Sequence, residues 1–324
     1  MFDAIPGNSD AYSNGSLDNQ TQSTYRPANL DYYTIGWICA LKVELVAAVE
    51  LLDVKFSVPP GTPRNDDNVY MCGQMRDHNV VIACLPKDKY GVTAAASVAK
   101  DMMRSFIEVH TILMVGIGGG APSQGHDIKL GDVVVGVPAK ELGGVIHYDF
   151  GKATQDHGFQ RTGYLNSTPT RLLSALQYIK TIHTTCGNQI TSAPDPQTDV
   201  IFKSSFVHQY HSQDCMQSCI MQTDQIIRQG RPDDTTDGPV IHYGLIASAD
   251  RLMKDAIIRD HLAETEGVLC FEMETAGLVN RCPCVDIRGI CDYSDTHKND
   301  RWQGYAAATA AAYAKELLGV IRVH

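Results

Sequence analysis

The chain has 324 residues, 44% hydrophobic and 20% charged, ordinary proportions for a globular protein with a sizeable core. A formal net charge of −10 argues against a general nucleic-acid binder, because phosphate backbones are held by clustered Lys and Arg. No apolar run reaches the roughly 18 residues that a membrane-crossing helix needs, so no membrane partner is expected.

Residues 1–30 are polar and rich in Ser, Asn and Gly, and read as a disordered tail. They lack the basic start and apolar block of a secretory signal. Several of the ten cysteines, among them Cys39, Cys84, Cys270 and Cys291, sit in apolar segments. They read as small buried hydrophobes in a reducing, cytoplasmic setting, not as a disulfide framework.

Tyr33 to Ala40 is an apolar run of strand length, and Leu41 to Asp53 follows with helical spacing, Leu41, Leu45, Val46, Val49 and Leu52 sharing one side. Val69 to Met75 and Val80 to Leu85 form a strand pair about the turn Arg76 to Asn79. A helix is expected over Gly91 to Ile107, a buried strand over Thr111 to Val115 ending in Gly116 to Gly120, and a further strand over Gly131 to Pro138. Pro169 to Ile182 is amphipathic. Residues 184–238 break the rhythm: they are polar, carry Pro194, Pro196 and Pro232, and read as an insertion. Strands at Val240 to Ala247, Val268 to Phe271 and Val285 to Cys291 then alternate with helices at Asp250 to Ala263, Glu274 to Asn280 and Trp302 to Val320. This alternation implies an α/β fold, a largely buried sheet with helices on both faces.

Four segments carry candidate chemistry. Gly116, Gly118, Gly119 and Gly120 close a strand, where open sheets bind ligands and bare backbone approaches them closely. The spacing is not GxGxxG followed by a helix, and a simple tight turn accounts for it equally well. Cys270 to Gly277 holds Glu272 and Glu274 where a buried strand meets a helix. Carboxylates there need partners, and suit the hydroxyls of a ribose, although acids also favour helix starts. Asp295 follows another apolar strand, as a reactive acid or as an ordinary Asx turn. Glu44 lies just past the first strand, as a general base or a solvated helix-start residue.

In this order, the segments Ile35 to Glu44, Leu113 to Gly120, Leu130 to Val135, Gly144 to Gly151, Phe271 to Gly277, Ser294-Asp295 and Arg301 to Ala306 resemble the purine nucleoside phosphorylase and methylthioadenosine/S-adenosylhomocysteine nucleosidase superfamily, in its fungal branch. The resemblance implies one α/β domain over residues 31–324, a mixed, barrel-like central sheet flanked by helices. It implies that Glu274 and Met273 hold the ribose, that Asp295 protonates the leaving purine, and that Glu44 activates water. Phe271, Glu272, Gly118, Ile117 and Ser294 fall in the matching segments as substrate-binding positions. Leu252 stands where the family usually has a Phe against the base, so aromatic stacking is in doubt there.

Related phosphorylases carry an Arg two residues before the first glycine, a Ser just after it, and another Arg in the first loop. Here these places hold Met114 and Ile117, with only Lys42 near the first loop. A phosphate dianion needs charge-assisted donors, so water is the expected nucleophile. The reading is a purine nucleosidase that releases base and ribose from adenosine, guanosine or inosine, with no cofactor. Its alternatives are a phosphate-dependent phosphorylase and a nucleoside-sensing module. A small-molecule nucleoside is the expected partner, and the resemblance implies a homo-oligomer. His208, His211, Cys215 and Cys219 sit in the insertion, but C-x3-C is not the usual C-x2-C of zinc sites. The cysteines read as unligated surface thiols, and no metal is expected.

Overall fold

A computed structural model describes residues 29–156, 158–185, 193–208, 215, 219, 224–226, 238–298 and 300–323. Strands β1 (Ile35–Cys39), β4 (His78–Cys84), β5 (Thr111–Gly120), β6 (Val133–Gly136), β10 (Ile241–Ser248), β11 (Val268–Glu272) and β12 (Cys284–Asp292) build the centre of one mixed sheet. β2 (Val54–Phe56) and β3 (Tyr70–Met75) extend it beyond β4, and β7 (Val145–His147) pairs with β10. β8 (Gly151–Thr154) and β9 (Gly158–Arg161) form a separate hairpin. β11 pairs with β10 on one side and, antiparallel, with β5 on the other, at Cys270–Gly120 and Phe271–Gly119. The ring β11–β10–β6–β12–β5 is therefore closed into the expected barrel-like sheet.

Helices cover both faces. α1 (Lys42–Glu50) and α5 (Gln303–Leu318) share one core with Trp37, Leu113, Ile287 and Leu172 of α3 (Thr170–Thr185). α2 (Val92–Ser105) packs in a second core with Ile38, Ile112 and Phe106, and α4 (Ala256–Thr265) lies beside β11. Leu317 and Ile287 are fully buried, each such side chain contributing about 1.5–3 kcal/mol by removal from water.

Several elements depart from the sequence expectation. β5 does not stop at Val115 but runs to Gly120, because β12 pairs with it as far as Gly119 and the ladder offsets poor glycine propensity. Of the expected apolar stripe of α1, Leu52 is in the core and Leu45 and Val49 pack against it, beside the buried Glu44 and Ala48, whereas Leu41 and Val46 are exposed. α4 begins at Ala256, not Asp250, since Asp255 caps it by accepting the Ile257 and Ile258 amides. Asp250 instead accepts the Val92 amide and caps α2, freeing residues 251–253 as a loop. The helix expected from Glu274 is one 3-10 turn, Thr275–Gly277.

The described part of the insertion packs on the loop that follows β12. Trp302 Nε1 donates to Thr198 Oγ1 at 3.0 Å, the His208 amide to Thr296 Oγ1 at 2.9 Å, and the Tyr293 hydroxyl bonds Asp199. Cys215 and Cys219 are buried beside Phe202, which corrects their reading as surface thiols. His211 lies outside the described residues.

Candidate active site

A cavity of about 310 Å³ opens where β1, β5, β11 and β12 end, within the size range of small-molecule sites. β1 and the start of α1 bring Ala40, Leu41 and Glu44; β5 brings Ile117, Gly118 and Gly119. β11 and its following turn supply Phe271 to Glu274, the end of β12 supplies Cys291, Asp292, Ser294 and Lys298, and the loop before α4 supplies Arg251, Leu252 and Met253.

Glu44 is 3% exposed. Its Oε2 accepts the amides of Ala40 at 2.7 Å and Leu41 at 2.9 Å, and its Oε1 accepts the amide of Ile117 at 2.8 Å. The bond to Leu41 is the helix-capping role of an acid in the first turn; the bond to Ile117 ties the same carboxylate to β5. Burial raises its pKa against the opposing pull of Arg288 and the three amides. Glu44 is thus a helix-start residue as one sequence reading had it, but a buried one on the cavity wall and not a solvated one.

Arg288, fully buried on β12, is the centre of the acidic cluster. Its Nη2 donates to Glu272 at 2.5 Å, its Nε to Asp286 at 2.6 Å, and its Nη1 to Glu274 at 3.3 Å. Glu272 also accepts the amides of Glu274 at 2.9 Å and Thr275 at 3.0 Å, so it anchors the turn that presents Glu274. Glu274 spends only Oε2, on Arg288 and the Met273 amide; its Oε1 has no hydrogen bond among the described residues. Burial raises the Glu274 carboxyl, to about 8, with Glu272 and Glu44 adding to the rise and Arg288 opposing it. Sequence reasoning missed Arg288 and Asp286. Their signal was two charges inside an otherwise apolar strand, which only mutual pairing permits.

Asp295 does not line the cavity. Its Oδ1 accepts the His297 amide at 2.8 Å, and its Oδ2 lies 3.6 Å from His297 Nδ1 and 3.8 Å from Arg259 Nη1. The acid on the cavity wall is Asp292, the last residue of β12, and the sequence analysis did not single it out. A register irregularity between Ile290 and Asp292 alters the strand's alternation where Asp292 meets the wall. Its carboxylate pairs with Lys298 Nζ at 2.8 Å and accepts the Ser294 amide at 2.9 Å. Burial alone would raise Asp292; the Lys298 ammonium and the Ser294 amide outweigh that and hold it below the usual carboxylate range. Ser294 takes a left-handed φ of 54°, completing the turn that seats Asp292.

The glycines of β5 make room for protein groups. A Cβ on Gly116 would collide with Glu44 Oε1, and one on Gly119 with Ser294 Oγ and, at 2.7 Å, Asp292 Oδ1. Met114, at one position where related phosphorylases have Arg, is buried in the core, and Ile117 lines the cavity. The cations on the described wall are Arg251 and Lys298, the first 3.4 Å from Asp149 and the second paired with Asp292. Phe271 and Leu252 both line the wall; Leu252 is about half exposed, while Phe271 is buried edge-to-face on Tyr148 at 5.6 Å.

Residues 34–321 match the family described as the phosphorylase superfamily. Among solved structures, a futalosine hydrolase from Helicobacter pylori aligns with a TM-score of 0.59 at 19% identity, over 89% of this chain and 97% of that one. The 5′-methylthioadenosine/S-adenosylhomocysteine nucleosidase from Neisseria meningitidis, solved with methylthio-immucillin-A, aligns with a TM-score of 0.58 at 18% identity, over 88% and 98%. A nucleotide-binding leucine-rich repeat (NLR)-like protein from Hyaloscypha variabilis is 40% identical over 94% of this chain, which spans only 31% of that protein's length. Among the described residues no helix is long and apolar enough to cross a membrane.

Proposed function

The chain belongs to the phosphorylase superfamily, and from that premise we propose that it hydrolyses the N-glycosidic bond of purine ribonucleosides such as adenosine, guanosine or inosine, releasing base and ribose. The observation that carries the choice of water is the seating of Glu44. Its carboxylate occupies the amides of Ala40, Leu41 and Ile117, the donors an inorganic anion would need at this end of the sheet. Seating phosphate there would place a dianion against a buried carboxylate, with the wall's two cations already beside other acids. The solved hydrolases of similar fold support the same direction.

In this reading Glu274 accepts the ribose hydroxyls on its open Oε1, with Met273 beside the sugar. The purine lies toward Asp292, Phe271 and Leu252. As the C1′–N9 bond lengthens, positive charge grows on the sugar and negative charge on the base. Asp292 relays a proton from Lys298 to purine N7, so the base leaves neutral. Glu44 takes one proton from the water that attacks C1′ and afterwards releases it to solvent, while solvent returns a proton to Lys298. Acid and base assistance each contribute on the order of 10²–10⁴-fold. The acid role, which the resemblance put on Asp295, moves to Asp292 because Asp292 is on the cavity wall.

The test is a product assay on adenosine, guanosine, inosine, methylthioadenosine and uridine, with and without phosphate. Free ribose and purine in phosphate-free buffer support the proposal; ribose 1-phosphate formed only when phosphate is present assigns a phosphorylase. The NLR-like relative favours a second reading, a nucleoside-sensing module. Calorimetric binding of a nucleoside without product would select it. Self-association into a homo-oligomer is part of the first proposal and is read by light scattering.

A further inference from the structure

We infer that His208, Cys215, Cys219 and His297 form a structural zinc site that clasps the insertion to the loop carrying Asp292 and Lys298. One ligand atom from each residue lies within 4.8 Å of all the others. A tetrahedral zinc with two sulfur and two nitrogen ligands needs edges of about 3.3–3.8 Å. His208 Nδ1 and Cys219 Sγ are 3.1 Å apart, so rotamer-scale adjustment brings the set to that geometry. All four residues are buried, none more than 9% exposed.

The C-x3-C spacing suits this arrangement. The Cys219 amide donates to the Cys215 carbonyl at 2.8 Å, one helical turn, which sets thiols four residues apart on the same side. A C-x2-C pair is one way to aim two sulfurs at an ion; a helical turn is another. The fourth ligand comes from 78 positions beyond Cys219 and belongs to no local motif.

His297 supplies a second, independent observation. Neither of its ring nitrogens has a hydrogen-bond partner among the described residues, although its ring is buried, stacked on Phe202 at 4.0 Å and on Phe206 at 5.1 Å. Leaving two imidazole nitrogens unsatisfied in such a place is costly. Zinc at Nε2, with the Asp295 carboxylate 3.6 Å from Nδ1, satisfies both in the carboxylate–histidine–metal arrangement common in zinc proteins. Asp295, held by the His297 amide and close to Arg259, is thus a positioning residue for a metal ligand. Two thiolates and two imidazoles select zinc over harder cations, and four protein ligands leave no open position for catalysis. The clasp acts on the cavity through the chain, since His297 immediately precedes Lys298, the partner of Asp292.

The experiment is elemental analysis of the untagged full chain purified after growth with added zinc. The expected content is about one zinc per chain, falling to about a tenth or less in Cys215→Ser/Cys219→Ser. Should that variant not fold, cobalt is exchanged into the wild-type chain, where the visible bands of tetrahedral thiolate-bound cobalt are expected. Chelator treatment should lower the thermal midpoint and zinc should restore it. Asp295→Asn should weaken zinc affinity about 10–100-fold at unchanged saturating stoichiometry. Wild-type protein with less than about a tenth of a zinc per chain and no cobalt bands overturns the site. Zinc retained in a folded double variant overturns this ligand set, and unchanged affinity in Asp295→Asn overturns the role given to Asp295.

Discussion

The amide of Ile117 donates to Glu44 Oε1 at 2.8 Å, joining the first helix to the glycine strand across 73 positions of sequence. That bond is made where Gly116 leaves no side chain in the way of the carboxylate. It fixes one acid at the cavity and uses an amide that an anion would otherwise take.

Glu44→Gln tests the base directly. Glutamine keeps the shape, but its amide nitrogen must face a backbone donor, and it cannot take a proton from water. Purine release in phosphate-free buffer should fall on the order of 10²–10⁴-fold, with little change in KM. Release near the wild-type rate removes Glu44 from the mechanism.

Two aspartates three residues apart compete for the acid role, and paired variants separate them. Asp292→Asn should lose turnover on the order of 10²–10⁴-fold, since Asp292 is on the cavity wall. Asp295→Asn acts only through the loop, so its loss in kcat should be smaller by about tenfold or more. The reverse order in steady-state assays returns the acid to Asp295.

Gly119→Ala puts a methyl group against Asp292 Oδ1 and Ser294 Oγ. Displacing Asp292 by about 1 Å should cost about 100-fold in kcat. Circular dichroism should remain native, because the ladder amides of β5 are untouched. Full activity in this variant denies that Gly119 makes room for the acid.

Glu274 should make stability depend on pH. Its folded pKa, raised to about 8 by burial, lies above an unfolded value of about 4.3. Between these values the folded chain holds a proton that the unfolded chain has released, so stability falls as pH rises. The thermal midpoint of the wild-type chain should drop more steeply from pH 5 to pH 8 than that of Glu274→Gln. Parallel curves for the two proteins contradict the assignment.

Arg288→Met removes the cation that, among the described residues, pairs with Glu272, Glu274 and Asp286. Breaking a buried pair from one side costs about 3–5 kcal/mol, and here three acids lose their partner. Urea unfolding should show a loss of at least that size, with recovery when Glu272→Gln and Asp286→Asn are added. A midpoint unchanged from wild type rules out Arg288 as the keystone.

The order of the principal strands and helices, though not β2, β7 or the β8–β9 hairpin, was legible because long apolar runs have few ways to be buried, and the spacing of their turns limits those further. Glu44 and Glu274 stood out as acids at the ends of such runs, and both line the cavity. Their immediate neighbourhood is local sequence, so local sequence could mark them. The other features depend on residues brought together by packing. Whether a glycine run bends into a loop or continues as strand is decided by the partner strand, and β12 decided it for β5. Which aspartate at the end of β12 meets the cavity follows an irregularity in a ladder, and a one-residue change of register turns a side chain to the other face. Arg288 joins Glu272 and Glu274 of the β11 segment to Asp286 of β12, and His297 meets Cys215 and Cys219 from 82 and 78 positions away. Sequence determines which groups are present and which elements carry them; distances between remote groups exist only once the sheet has closed and its loops have been pressed together.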